Sequence, residues 1–360
     1  MTRIVVVGAG MAGMACARSL QRQGHRPLVI APLQAAQNRG ETLSFRARPF
    51  LEALGWLPLF DGETALRCEG RYSIWGTAAL RRDDTHSEAE SGWHIDRRRL
   101  EARMAETLEA DGVERVDGTV RALARTPQGV SLELADGAQY EADFVIDCSG
   151  RASLSAGDAS LTRVDRLVAC YAIVALDDEA EVAPATLVEA VAEGWWYMSA
   201  LPGRRILVGY FTDSDLLSAG LRRDPARFAQ MAAETIAVSQ RVDSLGIDLA
   251  QSSMQFAAAS TVTATRILEA RIMRAGDAAS ALDPLAANGL ATALWSGTQA
   301  ADSVVKLLAD DASVAARYEQ NFLQGIAAHL AAQRSLYASE RRFLTLPFWQ
   351  RRNGVEPSSA

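Results

Sequence analysis

Gly8, Gly10 and Gly13 stand as Gly-x-Gly-x-x-Gly between a β-branched run, Arg3–Val7, and a helical stretch, Met14–Gln23, that stops at Gly24. Arg26–Ile30 follows as a second strand. Strand, glycine turn, helix and strand in that order form a dinucleotide-binding unit. The first glycine permits the tight turn, the second lets a pyrophosphate approach the backbone, and the third lets the helix pack on the strand. The phosphates then sit at the helix N-terminus, over Gly10 and Ala12, where unpaired N–H groups and the dipole favour anions. A carboxylate usually ends the second strand and binds the adenosine ribose, but here Ala31-Pro32 stands at that place. Glu41 and Arg97 are the candidates to replace it.

The elements that must hold this site can be read from pattern. Gly92–Glu109 contains a helix with Leu100, Met104 and Leu108 on one face. Val130–Leu134 and Gln139–Ala142 flank Asp136-Gly137 and predict a hairpin with a type I′ turn. Phe144–Asp147 reads as a buried strand, and Arg271–Ala275 as another. Leu167–Leu176, Thr186–Val191, Gly194–Ala200 and Arg205–Thr212 predict a separate antiparallel sheet. Arg223–Leu245, Asn288–Ala309 and Val314–Leu344 are helical by periodicity, and Glu356–Ala360 reads as a frayed tail.

Composition narrows the function classes. The chain has 360 residues, 49% of them hydrophobic and 22% charged, which is enough to bury one large core or two smaller ones. A net charge of −7 argues against a nucleic-acid binder held by bulk electrostatics, despite the local basic groups Arg97–Arg99, Arg341-Arg342 and Arg351-Arg352. Four cysteines without a CxxC pair and four histidines without a metal spacing point to neither a disulfide framework nor a zinc site. No apolar stretch reaches the ~18 residues of a membrane span. The apolar run at Ile4–Ala15 imitates a signal peptide, yet its glycine pattern is better explained by the nucleotide turn; a cytoplasmic location is expected.

Two further pieces join the glycine turn in order: Asp147-Cys148-Ser149-Gly150-Arg151, and Arg274-Ala275-Gly276-Asp277 leading into Asp283-Pro284 and a helix from Asn288-Gly289-Leu290. Together they resemble the flavoprotein monooxygenase superfamily, which includes aromatic hydroxylases, geranylgeranyl reductases and flavin-dependent tryptophan halogenases. The resemblance implies an α/β fold: a Rossmann-type FAD-binding domain (1–70, 92–165 and 264–310) interleaved with an antiparallel-sheet substrate domain (71–91 and 166–263). A C-terminal helical segment, 311–360, closes it. It implies an FAD site of Gly8, Gly10, Ala12, Gly13, Arg39, Glu41, Arg97, Gly150, Gly276, Asp277, Pro284, Asn288, Gly289 and Leu290, with Asp277 on the ribityl chain. Elementary chemistry agrees. A short carboxylate after a strand accepts hydrogen bonds from hydroxyls, a proline stiffens the loop against a ring, and a helix N-terminus favours the charge of a reduced flavin.

A narrower resemblance rests on Arg39–Leu43, Gly92-Trp93-His94-Ile95-Asp96-Arg97, Gly194-Trp195-Trp196-Tyr197, Tyr210–Asp213 and Pro347-Phe348-Trp349-x-Arg351-Arg352. These are similar to the halogenase-related flavoproteins that assist tryptophylquinone biogenesis. Where that group carries a proline soon after Gly-Glu-Ser/Thr-Leu, this chain has Ser44-Phe45. Beside the flavin it has Asp283-Pro-Leu-Ala-Ala-Asn-Gly289 in place of Asp-Pro-Leu-Ser-x-x-Gly.

The resemblance implies oxygen-dependent hydroxylation of an aromatic substrate through a flavin C4a-hydroperoxide, with a tryptophan of a partner protein as one candidate substrate and NADH or NADPH as reductant. Such chemistry asks the protein for orientation and a dry pocket more than for acids and bases. Trp195, Trp196 and Tyr197 alternate on a strand, so two of the three share a face; they either wall the substrate cavity, with Glu41 as a polar neighbour, or pack a sheet core. Halogenases use a lysine between flavin and substrate, whereas Lys306, the one lysine of this chain, lies about 25 Å along the helix from its start. Trp195-Trp196 also departs from the halogenases' Trp-x-Trp-x-Ile-Pro. The alternatives are an FAD-dependent reductase of a prenyl or polyene substrate and a flavin-carrying accessory protein without turnover.

Overall fold

The computed structural model describes residues 2–33, 41–84, 91–157, 160–218 and 220–354. Ile4–Val7 is buried along its whole length, as a β-branched strand inside a parallel sheet must be. It lies at the middle of a six-stranded sheet ordered Leu268–Glu269, Ile272–Arg274, Phe144–Asp147, Ile4–Val7, Leu28–Ala31, Glu114–Asp117. All neighbours pair parallel except the edge strand Leu268–Glu269. The helices Met11–Arg22 and Gly289–Leu308 pack on one another, and the contact is close because Gly297 faces the backbone of the first helix. A Cβ at Gly297 would lie 2.2 Å from the carbonyl oxygen of Ala12.

A second, seven-stranded sheet runs Gln255–Ala258, Leu167–Ala175, Arg205–Asp213, Gly194–Leu201, Ala185–Val191, Gly70–Ile74, Arg81–Asp84. It is antiparallel except where Ala185–Val191 pairs parallel with Gly70–Ile74, a non-local partner that the local pattern does not reveal. Alternation divides its faces. Cys170, Trp196, Val208 and Tyr210 meet the helices Pro225–Ala233 and Ala237–Ser244. On the other face Tyr171, Trp195 and Leu207 join Tyr337, Phe348 and Trp349 of the C-terminal helices. A small sheet, with Trp93–Ile95 between Glu41–Leu43 and Ala65–Arg67, lies at the junction.

The α/β class, the separate sheet and the C-terminal helices agree with the sequence reading; three local features differ. Arg223–Leu245 is two helices, because the carboxylate of Glu189 accepts the N–H groups of Ile236, Ala237 and Val238 (2.6, 2.8 and 3.0 Å) and starts a new helix there. The Asp136-Gly137 turn is not type I′, which needs left-handed φ at two residues. Only Gly137 has it (φ +89°), after a turn closed from Gly137 N–H to Leu134 O, as in a three-residue loop with a bulge. The last long helix is Ser313–Ala338, ending short of Leu344. The expected tail, Glu356–Ala360, lies outside the described residues.

Gly297→Ala, which forces a methyl group against Ala12, is expected to cost about 1–3 kcal/mol, the usual penalty for overpacking. It should lower the urea midpoint at unchanged slope. An unchanged midpoint would contradict the helix contact.

Candidate active site

The three glycines of the turn divide their work. Gly8 takes φ +101°, its N–H donates to Ile30 O, and a Cβ there would lie 2.4 Å from Cys148 O. A Cβ on Gly13 would lie 1.9 Å from Gly8 O. Both positions are closed by protein. Gly10 is different: its φ is ordinary, no side chain caps the helix it opens, and the nearest atoms to an added Cβ are Arg97 Nη2 at 3.7 Å and Glu101 Oε1 at 3.9 Å. Gly276, at φ +60°, brings its strand end against Ala12 and donates its N–H to Ser296 Oγ on the long helix.

Around this knot opens a cavity of about 250 Å³. Gly10, Ala12 and Gly150 line its turn end, and Glu41 and Arg97 flank it. Arg97 donates to Glu41 Oε1 at 2.6 Å and to Glu101 Oε1 at 2.8 Å. The Glu41 charge holds the guanidinium proton more tightly than usual, and burial raises the Glu101 carboxyl above its ordinary range. Asp277, Pro284, Gly289 and Leu290 line a second wall. The far side is the seven-stranded sheet, with Trp195, Tyr197 and Phe211. Trp195 and Phe211 stack with centroids 3.9 Å apart and planes within 4°. The Tyr197 hydroxyl is bonded to Thr42 Oγ1.

Most of the residues singled out from sequence thus share one space, though not all. Gly8, Gly13 and Gly276 stand behind the wall as packing positions. Trp196 faces away, between Tyr210 and Phe228 at 5.1 and 4.9 Å, so of the two tryptophans only Trp195 reaches the cavity. Asn288 points to a separate cleft beside Trp295, Phe50 and His329. Arg39 lies outside the described residues. His94 is wholly buried against Thr186 Oγ1 at 3.0 Å, and burial pushes its imidazole down to about 4, a neutral structural histidine. Sequence reasoning passed over Thr42 and did not give Arg151 a site role. Arg151 lines the cavity, donates to Ser260 O at 2.7 Å and approaches Asp277 Oδ2 at 3.9 Å. Its place directly after Gly150 was the available signal.

The residues present fit a flavin dinucleotide. A helix start without a side-chain cap borders the cavity at Gly10, the carboxylates of Glu41 and Asp277 on its walls are acceptors of the kind that sugar and ribityl hydroxyls need, and an aromatic sheet face lies beyond. Fold and site define a Rossmann-type α/β protein with a second sheet over its nucleotide cavity.

The chain belongs to the tryptophan halogenase family, whose model matches residues 67–359, and an NAD(P)-binding Rossmann-like domain matches 6–32. It is 29% identical to the FAD-dependent oxidoreductase LodB of Marinomonas mediterranea, over 97% of this chain and 96% of that protein. It is 24% identical to a tryptophan 2-halogenase of Chondromyces crocatus, over 88% of this chain and 64% of that enzyme. Among solved structures it resembles QhpG, a peptidyl tryptophan dihydroxylase essential for tryptophylquinone cofactor biogenesis, with TM-score 0.82 and 27% identity over 100% of this chain and 80% of that one. The flavin-dependent halogenase CmlS shares the fold, with TM-score 0.82 at 20% identity over 98% and 68% of the two chains. No helix among the described residues is long and apolar enough to cross a membrane.

Because Gly10 is open where Gly8 and Gly13 are closed, Gly10→Ala should fold with an unfolding midpoint like the parent's and bind FAD at least tenfold more weakly by fluorescence titration. Equal FAD affinity would remove Gly10 from the binding surface.

Proposed function

We propose that this chain is an FAD-dependent monooxygenase that hydroxylates an aromatic ring, the tryptophan side chain of a partner polypeptide during quinone cofactor maturation. The observation that carries this reading is the continuity of one cavity from the open helix start at Gly10 to the aromatic face of Trp195 and Phe211. A dinucleotide at one end and a flat ring at the other would meet within it. The similarity to a peptidyl tryptophan dihydroxylase along the whole chain supports the same substrate class.

In this reading Gly10 and Ala12 hold the diphosphate at the helix N-terminus. Glu41, kept in place by Arg97, receives the adenosine ribose in place of the acid missing at Ala31. Asp277 receives the ribityl hydroxyls, with Arg151 beside its carboxylate. The start of the Gly289–Leu308 helix and Pro284 border the ring system, and Trp195 and Phe211 exclude water from the side where the substrate enters. Bound and reduced by NADH or NADPH, FAD supplies the activation of dioxygen. Every other contribution is binding, orientation and desolvation. The chemistry does not extend to halogenation, because Lys306 belongs to the last turn of the Gly289–Leu308 helix, about 25 Å from the end that borders the cavity.

Rapid mixing of the anaerobically reduced, FAD-loaded protein with oxygen tests this reading. A transient absorbance spectrum distinct from both reduced and oxidised flavin is expected, decaying faster when a tryptophan-bearing polypeptide is present. Direct return to the oxidised spectrum with such polypeptides present, or halogenated product in the presence of bromide, would overturn it.

A further inference from the structure

Trp195 is held from behind by a chain of hydrogen bonds that ends on a buried carboxyl group. Its Nε1–H donates to the Tyr337 hydroxyl at 3.1 Å, and that hydroxyl donates to Asp283 Oδ2 at 2.8 Å. The direction is fixed by chemistry: an indole N–H can only donate, so the Tyr337 oxygen accepts there and sends its own hydrogen onward. Gln333 Nε2 donates to the same Asp283 oxygen at 2.8 Å, and the N–H of Leu285 donates to Oδ1 at 2.8 Å. Burial pushes the Asp283 carboxyl above its ordinary range, and the donors that reach its two oxygens oppose that shift.

Both ends of this chain are cavity walls. Trp195 is one; Pro284, joined directly to Asp283, is the other. A single carboxylate therefore fixes the indole through Tyr337 and the Asp-Pro loop through Leu285. Tyr337 is itself braced by Arg352, whose guanidinium lies 5.0 Å from its ring centre and donates to Asp213 at 2.8 Å. Packing alone explains little of this, since phenylalanine and an apolar residue would fill the space without burying a carboxyl group whose desolvation is costly.

We propose that Tyr337 and Asp283 are positioning residues that act through Trp195, setting the indole plane and the Pro284 loop as the two walls between which the substrate's aromatic ring seats. The inference rests on the hydroxylase reading and assigns the C-terminal helix Ser313–Ala338 a part in substrate selection. Tyr337→Phe keeps the ring and removes the link, so the indole loses its acceptor and the carboxylate one donor. The aromatic seat then loosens while the nucleotide end of the cavity keeps its contacts.

The test is a titration of the oxidised, FAD-loaded protein with indole, followed by the change in the flavin absorbance spectrum. Tyr337→Phe is expected to weaken indole binding at least fivefold at unchanged FAD affinity, and Trp195→Phe to do the same. The double variant should be no weaker than Trp195→Phe alone, because coupled residues are not additive. Asp283→Asn, which keeps the volume but turns a donor toward Gln333 or Tyr337, should weaken indole binding as Tyr337→Phe does, and serves should that variant fold poorly. Unchanged indole affinity in Tyr337→Phe, or losses that add in the double variant, would overturn the positioning role and leave the hydroxylase reading standing. A parent protein that binds neither indole nor a tryptophan-bearing peptide would overturn both.

Discussion

The first helix meets its neighbours backbone to backbone, and every feature of the nucleotide end depends on that approach. Gly13 lets the helix lie against the Gly8 turn, Gly276 brings the end of a distant strand to Ala12, and Gly297 lets the long helix cross Ala12 within what would be a single methyl group's reach. The parallel sheet fixes where these pieces start, and the missing Cβ atoms fix how near they come. Asp277, Pro284 and Leu290 border the same cavity as Gly10 because the strand and helix that carry them are held at this crossing.

Buried carboxylates do for the loops what glycines do for the helices. Asp147, fully buried, accepts the N–H groups of Ser149 and Ser155 and shapes the segment around Gly150. Glu189 starts a helix with three N–H bonds, and Asp213 takes the guanidinium groups of Arg351 and Arg352, fastening the last helix to the sheet. Asp283 joins its own loop to the helix Ser313–Ala338 and, through Tyr337, to the strand that carries Trp195. Asp147 draws its donors from its own loop, whereas Glu189, Asp213 and Asp283 also draw donors from residues distant in sequence, so those three contacts form only when the fold is complete.

What could be read in advance follows from how local each interaction is. The Gly8–Gly13 spacing carried its division of labour openly, since turn, approach and packing positions lie within six residues. Strand alternation separated Trp196 from Trp195 and Tyr197, yet it could not tell which face met the cavity; that depends on the helices Pro225–Ala233 and Ala237–Ser244 covering one side. The break between those helices depends on Glu189, and the parallel pairing of Ala185–Val191 on Gly70–Ile74. Thr42 with Tyr197, and Tyr337 with Asp283, are partners 155 and 54 residues apart. No spacing rule reaches so far. The class of cofactor was therefore legible, as was the space it requires, whereas the support of the substrate wall was not.

The central claim is that one cavity brings an activated oxygen to an aromatic ring held against Trp195. The most direct measurement is a single turnover of the reduced, FAD-loaded protein with a tryptophan-bearing partner polypeptide under ¹⁸O-labelled dioxygen, read by peptide mass spectrometry. The account predicts labelled oxygen on the ring of that tryptophan. Oxidation of the flavin with an unlabelled, unchanged peptide, across partners that bind the protein, would contradict it.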